Sequence, residues 1–231
     1  RDNLKPVRLD VNNQDDIVRV IADIERESGC LDLLVNNAGY GAMGPLVEMP
    51  MREVREQFDT NIFSVLAITQ AAFPLLHKAA IKNKQALIIN VGSVSGVMAT
   101  PFSGAYCATK AAVHAMSDAL RMELSPFGVE VMTVQPGAIK SSFGDTAITK
   151  LADTLAENSI YSSISDGIRK RAGASQDNPT TADEFVDKLL GAINRKHRPA
   201  NIRIGNGSFV MFLLKRLLPE SWLDLMLSRS F

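Results

Sequence analysis

Three short apolar runs, separated by long stretches with helical spacing, constrain the fold of this chain most. These runs are Leu31–Val35, Ala86–Val91 and Val129–Val134. Runs of this kind, without strict apolar–polar alternation, are typical of strands buried on both faces of a parallel sheet. The helical stretches are Gln14–Ser28, Met51–Ala80, Ala105–Pro126 and Thr181–Lys196. This alternation predicts an α/β fold with a doubly wound parallel sheet.

The regions outside this alternation carry weaker signals. Val7–Leu9 and Ile202–Ile204 are predicted as two further strands. Residues 138–180 combine polar and small residues with patchy helix signals, which is typical of a substrate loop or lid. The tail at 208–231 is strongly apolar, and we expect it either to pack on the domain or a partner subunit, or to lie at a membrane surface with Trp222 as an anchor.

The composition favours a globular protein and excludes several ligand classes. A length of 231 residues suits one domain spanning 1–231. The 25 basic and 25 acidic residues cancel, which argues against a nucleic-acid surface. Two cysteines and three separated histidines predict no disulfide framework and no metal site. We find no signal peptide and no run of about 18–20 apolar residues, so we expect a cytoplasmic protein.

One glycine spacing imitates a dinucleotide-binding turn. Gly39, Gly41 and Gly44 fit G-x-G-x-x-G after an apolar run, and Asp59 follows at the distance of a ribose-binding acid. That turn requires a helix that begins at the third glycine. Pro50 would end such a helix after about one turn, and Asp59 falls inside the next helical stretch. The spacing is therefore predicted to be coincidental.

Polar residues with catalytic chemistry follow two of the predicted strands. Asn36–Gly39 (NNAG) comes after the first strong strand, where it forms either a ligand-binding wall or an ordinary polar turn. Tyr106 and Lys110 are four residues apart, so they share one face of a helix. Ser93 follows the second strong strand. A phenol, an ammonium group and a hydroxyl at one crevice predict an acid/base site.

These motifs together resemble the short-chain dehydrogenases/reductases. The matching motifs, in the order and separation that this family has, are NNAG at Asn36–Gly39, TN at Thr60-Asn61, GSVSG at Gly92–Gly96, YCATK at Tyr106–Lys110 and QPGAIKSS at Gln135–Ser142. The amino-acid sequence around the tyrosine is similar to that of members that act on steroid, retinoid or acyl-chain carbonyls. The resemblance covers roughly residues 4–143 and implies an NAD(P)-binding Rossmann-like fold with oxidoreductase activity.

The resemblance also implies roles for individual residues. Tyr106 would be the acid/base, and Lys110 would bind the nicotinamide ribose and lower the pKa of that tyrosine. Ser93 would hydrogen-bond the substrate oxygen, and Asn61 would hold a proton-relaying water. The remaining residues that would contact the cofactor are Asp10, Asn37, Ala38, Gly39, Pro136, Gly137, Ile139 and Ser141.

The family's opening strand and T-G-x-x-x-G-x-G turn, with the helix and strand that follow, have no counterpart in the sequence. We therefore expect the chain to be an incomplete sequence, with a true short form as the alternative. In this family, the segment without a counterpart here determines whether NAD(H) or NADP(H) binds. Of the two, we expect NADP(H). Arg1 is one candidate for contact with a 2′-phosphate and is otherwise a solvated loop charge.

Three functions are consistent with these residues. The first is an NAD(P)(H)-dependent reductase or dehydrogenase for an apolar carbonyl or alcohol, because Met43, Val97, Met98, Phe102 and Phe143 fall where the substrate pocket is expected. The second is an acyl-dihydroxyacetone-phosphate reductase. The third is a catalytically silent nucleotide-binding or scaffolding protein. The alanine-rich helical stretches permit a homodimer or tetramer.

Overall fold

The described part of the chain folds around a parallel sheet of four strands. The computed structural model describes residues 4–83, 85–155 and 158–229, with the backbone alone at 152 and 153. The predicted role of Arg1 lies outside this part of the chain. The strands, in their spatial order, are β1 (Leu33–Asn36), β2 (Ala86–Val91), β3 (Val129–Pro136) and β4 (Asn201–Ile204). Ile88 is opposite Leu34 on one side and Val131 on the other.

Helices connect the strands and cover the sheet. They are α1 (Gln14–Ser28), α2 (Met51–Phe58), α3 (Ser64–Asn83), α4 (Gly104–Leu124), α5 (Phe143–Thr154), α6 (Ser165–Gly173), α7 (Ala182–Ile193), α8 (Ser208–Leu217) and α9 (Glu220–Ser228). Helix α1 begins where the Asn13 side chain accepts hydrogen bonds from two backbone N–H groups, and it ends at Gly29, whose φ of 73° is left-handed.

Successive residues of β2 face different layers of helices. Ile88 lies in an apolar cluster with Leu76 of α3. Ile89 lies in a second cluster with Ala192 of α7. Because side chains of a strand alternate between the two faces of a sheet, helices cover both faces here. Burial on both faces explains why this mostly apolar run shows no alternation, and the doubly wound α/β architecture is confirmed.

The predicted strand at Val7–Leu9 is wrong, whereas the weaker one at Ile202–Ile204 is confirmed within β4. Residues 7–9 form no strand ladder in the described structure, and Val7 is 45% exposed. A strand is stabilised by hydrogen bonds to a neighbouring strand, and β1 pairs with β2 alone among the described strands. Without an adjacent strand, this segment forms no part of the described sheet.

The helical stretch predicted from Met51 contains a local irregularity. Residues Asp59–Phe63 form a π-helical turn between α2 and α3, and this turn carries Thr60 and Asn61. Wide turns of this kind often occur at functional sites.

By length and composition alone, the run Met51–Asn83 could cross a membrane. Buried residues such as Ala72 and Leu76 instead pack it into the core, as in a core helix.

A buried polar network joins β1 and β2 to the helices. Asn36 Nδ2 donates to Asn90 Oδ1 at 2.8 Å and to Thr69 Oγ1 of α3 at 3.2 Å. Asn90 Nδ2 donates in turn to Ser117 Oγ of α4 at 2.9 Å. Asn90 is fully buried, so its amide has no access to water. The network therefore holds the carboxyl ends of two strands against two helices.

We expect Asn90→Ala to lower the free energy of unfolding by about 2–4 kcal/mol, because two buried polar partners lose their hydrogen bonds. Urea unfolding monitored by circular dichroism measures this change. The control is Asn83→Ala, which removes an exposed amide that bonds to Asp32 and should cost well under half as much. Equal losses in the two variants would contradict a structural role for the network.

Candidate functional site

Tyr106 and Lys110 lie on the first two turns of α4, and both side chains are buried. Their exposed fractions are 7% and 6%. Lys110 Nζ donates to the backbone carbonyl of Val91, at the end of β2, at 2.7 Å. The same nitrogen is 5.9 Å from the centre of the Tyr106 ring. The predicted four-residue spacing therefore does bring the ammonium group and the phenol to the carboxyl end of the sheet.

Ser93 lies where β2 ends and a 3₁₀ turn begins. Its hydroxyl accepts a hydrogen bond from the Ser95 backbone N–H at 3.1 Å, which fixes the side chain as the cap of that turn. Hydrogen bonding with Ser93 acts to lower the pKa of Tyr106. Of the two serines in the motif, Ser93 is thus the one that interacts with the phenol.

The π-helical turn brings Asn61 to the same place. Asn61 Nδ2 donates to the Tyr40 carbonyl at 2.8 Å and to Thr109 Oγ1 at 3.1 Å, while its Oδ1 accepts from the Tyr40 N–H at 3.0 Å. A Cβ atom on Gly39 would lie 2.9 Å from Asn61 Oδ1 and 3.7 Å from Lys110 Nζ. NNAG, TN and YCATK therefore meet in one cluster, and a side chain at Gly39 would crowd it.

Burial controls the protonation of this cluster. It raises the pKa of Tyr106 to about 12, with Ser93 acting in the opposite direction. It lowers the pKa of Lys110 to about 8. The expected lowering of the tyrosine pKa by Lys110 does not occur in this structure, because removal of the phenolate from water dominates. At neutral pH, Tyr106 holds its proton and is a hydrogen-bond donor.

The predicted cofactor-binding residues lie mostly along the carboxyl ends of the strands. Those that are exposed to solvent are Asp10, Asn37, Ala38, Gly39 and Ser141. Those that are partly buried after β3 are Pro136, Gly137 and Ile139. The Asp10 turn reaches the π-helical turn, since Asn12 Nδ2 donates to Thr60 Oγ1 at 2.9 Å. The hydrogen bonds of Ser141 are local or to Gln176, so no bond joins it to Tyr106.

The coincidental glycine motif is confirmed not to be a phosphate turn. After Gly44 the chain forms turns, and the next helix begins at Met51. Gly44 has a φ of 146° and lies against Thr154, whose hydroxyl donates to the Met43 carbonyl. A Cβ atom on Gly41 would come within 2.8 Å of the Phe143 ring. These glycines allow close packing of the loop against α5.

The segment at 138–180 forms α5 and α6, which cover the apolar side of Tyr106. Tyr106 lies in a cluster with buried Met43, Ala147, Leu151, Ile168 and Ala172, bordered by Phe102 and Phe143. The Phe143 ring centre is 5.3 Å from that of Tyr106. Three of the expected apolar pocket residues, Met43, Phe102 and Phe143, therefore lie in the same cluster as Tyr106. We name this cluster the apolar wall.

A cavity of 440 Å³ lies elsewhere, between β4 and α7. Its lining includes Thr180, Glu184, Lys188 and Arg203, and it contains none of Asn61, Ser93, Tyr106 and Lys110. Its walls are mainly polar and open to solvent. The catalytic chemistry therefore points to the cluster around Tyr106 and not to this cavity.

His114 is a member of the site that the sequence analysis missed. It lies one turn beyond Lys110 on α4, and its Nε2 faces the Ser93 backbone N–H at 3.4 Å. A Cβ atom on Gly92 would overlap the imidazole, and one on Gly96 would lie 2.7 Å from it. The spacing of four from Lys110 was the available signal, but the contact with the serine turn depends on the fold.

Burial and the nearby Lys110 charge lower the pKa of His114 to about 4. Because the unfolded imidazole titrates near 6.5, the unfolded state binds more protons between these values. Stability is therefore lost as the pH falls below about 6.5. We expect His114 to contribute a loss of about 2 kcal/mol between pH 7 and pH 5.

Urea unfolding of the wild type and His114→Gln at these pH values measures this contribution. The variant keeps an acceptor for Ser93 but no titrating group, so its stability should fall by less over the same range. The two proteins should show the same pH dependence above pH 7. A variant that loses as much stability as the wild type would contradict the assignment.

Comparison with known proteins identifies the family. The model of the short chain dehydrogenase family matches residues 1–151, which is more than half of the chain. The chain belongs to the short-chain dehydrogenase family. Such proteins are NAD(P)-dependent oxidoreductases acting on alcohols or carbonyls.

Two curated relatives match nearly all of this short-chain dehydrogenase. The probable short-chain type dehydrogenase/reductase VdlC of Helicobacter pylori is 32% identical, over 94% of this chain and 78% of its own length. The 3-ketodihydrosphingosine reductase of Bacteroides thetaiotaomicron is 31% identical, over 96% of this chain and 80% of its own.

Solved structures confirm the fold of the short-chain dehydrogenase. A short-chain dehydrogenase from Streptomyces avermitilis superposes with a TM-score of 0.77 at 26% identity, over 96% of this chain and 79% of that one. The NADPH-bound carbonyl reductase from chicken fatty liver superposes with a TM-score of 0.58 at 27% identity, over 62% of this chain and 61% of that one. The Rossmann-like fold is thus shared.

Proposed function

We propose that this short-chain dehydrogenase reduces the carbonyl group of an apolar substrate to a secondary alcohol, with NADP(H) favoured over NAD(H). The observation that carries this proposal is the state of Tyr106. Its phenol is buried beside Ser93 and Lys110, and its pKa of about 12 keeps the proton on the oxygen at neutral pH. A protonated phenol is the group that a carbonyl oxygen requires when it is reduced.

The residues present fit a nicotinamide cofactor. Gly39 leaves space beside Asn61 and Lys110, and Lys110 uses one of its three N–H donors on Val91, which leaves two for ribose hydroxyls. We propose that the cofactor is held by Asp10, Asn37, Ala38, Gly39, Tyr106, Lys110, Pro136, Gly137, Ile139 and Ser141. The chemistry that a bound nicotinamide supplies is hydride transfer.

The side chains of the chain itself supply the proton and the positioning. In our proposal, Ser93 donates a hydrogen bond to the substrate oxygen and Tyr106 Oη transfers its proton to that oxygen. Lys110 orients the cofactor ribose. Asn61, held by Tyr40 and Thr109, positions the water that returns a proton to the site.

The apolar wall supports the substrate class. Apolar side chains with few polar groups suit a lipid-like, steroid-like or retinoid-like ketone better than a sugar. A relative whose name is 3-ketodihydrosphingosine reductase agrees with a long-chain ketone. An acyl-dihydroxyacetone-phosphate reductase is the second candidate, and the position of Arg171, described below, favours it. A silent scaffold is the weaker proposal, because Asn61, Ser93, Tyr106 and Lys110 are all present.

We further propose a cytoplasmic homodimer or tetramer that contacts a membrane through its tail. Apolar side chains of α8 and α9 are exposed, among them Phe209, Leu217 and Trp222. Such a surface suits an interfacial helix. The small side chains of Ala111 and Ala115 on the exposed side of α4 suit close packing against a second copy.

The NADPH-bound carbonyl reductase supports the choice of cofactor.

The test is cofactor oxidation by the full-length protein with a panel of ketones. The panel contains long-chain 3-ketones, acyl-dihydroxyacetone phosphates, steroid ketones and sugars, each assayed with NADPH and NADH. We expect turnover with apolar ketones, with a higher kcat/KM for NADPH. Binding of the cofactor without oxidation by any ketone, or oxidation of it by sugars alone, would contradict the proposal.

A further inference from the structure

A guanidinium group without an acidic partner lies beside the apolar wall. Arg171 is on α6, and its Nε and Nη2 donate to Thr100 Oγ1 at 3.2 and 2.5 Å. No carboxylate in the described part of the chain forms an ion pair with it. Since a guanidinium has five N–H donors, the single hydroxyl of Thr100 leaves most of them available.

The surroundings of Arg171 make its positive charge energetically unfavourable. Arg171 is partly buried, and burial lowers the pKa of its guanidinium. A cation removed from water is destabilising unless an anion compensates for the lost hydration. A structural contact with Thr100 alone needs no positive charge, because a neutral amide would also donate to a hydroxyl. The charge itself therefore requires an explanation.

The position of the charge relates it to the reacting phenol. The positive charge of Arg171 acts to lower the pKa of Tyr106 and of the Cys107 thiol, so the guanidinium is within electrostatic range of both. Two residues close to Arg171 on α6 are buried in the apolar wall. These are Ala172, which follows it directly, and Ile168, which lies about one turn earlier. One helix thus presents apolar side chains and a cation next to the same tyrosine.

We infer that Arg171 binds an acidic head group of the substrate while the apolar wall receives its hydrocarbon part. The inference rests on the proposed function and narrows its substrate class to amphiphilic ketones with a phosphate, sulfonate or carboxylate near the carbonyl. A guanidinium suits these anions because its N–H groups can donate in parallel to two oxygens. Neutral steroid-like or retinoid-like ketones would leave the cation without its partner.

The test is binding of two non-reacting ligands that differ in the anion alone. Isothermal titration measures the Kd of a short-chain lysophosphatidic acid and of the monoacylglycerol with the same acyl chain. Each is titrated into the full-length protein as monomers, below micelle formation. We expect the wild type to bind the phosphate ligand at least about 10-fold more tightly, since a charge-assisted hydrogen bond contributes about that much.

The variants separate recognition from structure. Arg171→Met should lose the preference and bind both ligands alike, whereas Arg171→Lys should keep part of it. Thr100→Val removes the protein partner of the guanidinium and should keep the preference for the anion. Equal binding of both ligands by the wild type would overturn the inference. So would an Arg171→Met variant that keeps the wild-type ratio of the two Kd values, whether or not the binding of both ligands becomes weaker.

These outcomes do not depend on turnover. If the wild type selects the anionic ligand through Arg171 but reduces no ketone, the anion site stands and the proposed reaction is wrong. If it reduces neutral ketones and phosphate-bearing ketones with the same kcat/KM and binds both ligands equally, the reaction stands and the anion site is wrong.

Discussion

Tyr106→Phe is expected to lower kcat for ketone reduction by about 100- to 10,000-fold, because the variant keeps the ring but loses the proton that neutralises the developing alkoxide. The ring contacts with Phe143 and the apolar wall remain, so the fold should change little, and the cofactor should still bind through Lys110 and the other proposed contacts. Steady-state kinetics gives kcat, fluorescence titration gives the Kd for NADPH, and thermal unfolding reports the stability.

Tyr161→Phe is the matched control for this variant. The Tyr161 ring centre is 5.9 Å from that of Phe102, and the exchange removes the same hydroxyl from a tyrosine that is partly buried. We expect kcat of the control to remain within about threefold of the wild type, since no proton transfer is assigned to Tyr161. Retained turnover in Tyr106→Phe would refute the assigned role.

Lys110→Met is the second variant with a large expected effect. We expect kcat/KM for the cofactor to fall by about 100- to 10,000-fold, because two charge-assisted hydrogen bonds to the ribose, each contributing about 1.5–3 kcal/mol, are lost. Unlike the tyrosine variant, this one should raise KM for NADPH as well as lower kcat. The split between the two parameters distinguishes a positioning role in binding from proton transfer alone.

The control for Lys110→Met is Lys78→Met. Lys78 is exposed on α3 and pairs with Glu25 at 2.6 Å, so its loss should leave both kinetic parameters near the wild-type values. Methionine at position 110 fills a similar volume, but the Val91 carbonyl loses its donor. An unchanged KM for NADPH in Lys110→Met would contradict the contact between this lysine and the cofactor.

The sequence was sufficient to predict the parts of the fold that depend on local pattern. Ala86–Val91 has the predicted bounds because all of its residues but the last are buried, and burial on both faces is visible in the sequence as a mostly apolar run without alternation. The helix Gln14–Ser28 also has the predicted bounds, since an Asn cap and a terminal glycine mark its ends. Motif order was enough to predict that Ser93, Tyr106 and Lys110 would meet.

Features that depend on the rest of the fold were not predictable. Val7–Leu9 has a strand-like composition but no neighbouring strand in the described structure. The π-helical turn at Asp59–Phe63 has ordinary helical spacing in sequence, and the hydrogen bond of Asn61 with Tyr40 depends on a loop that precedes α2. The pKa of Tyr106 was expected to be lowered, but burial raises it. The YCATK motif does not reveal how deeply the tyrosine is buried.

The central claim is that this protein transfers hydride to a ketone, with Tyr106 as the proton donor. Reduction of an apolar ketone with NADPH deuterated on the transferable position of its nicotinamide tests it most directly. Mass spectrometry of the product should find one deuterium on the new carbinol carbon with the wild type and almost none in the same time with Tyr106→Phe. An alcohol product without deuterium on that carbon, or no alcohol from any ketone in the presence of bound cofactor, would contradict the account.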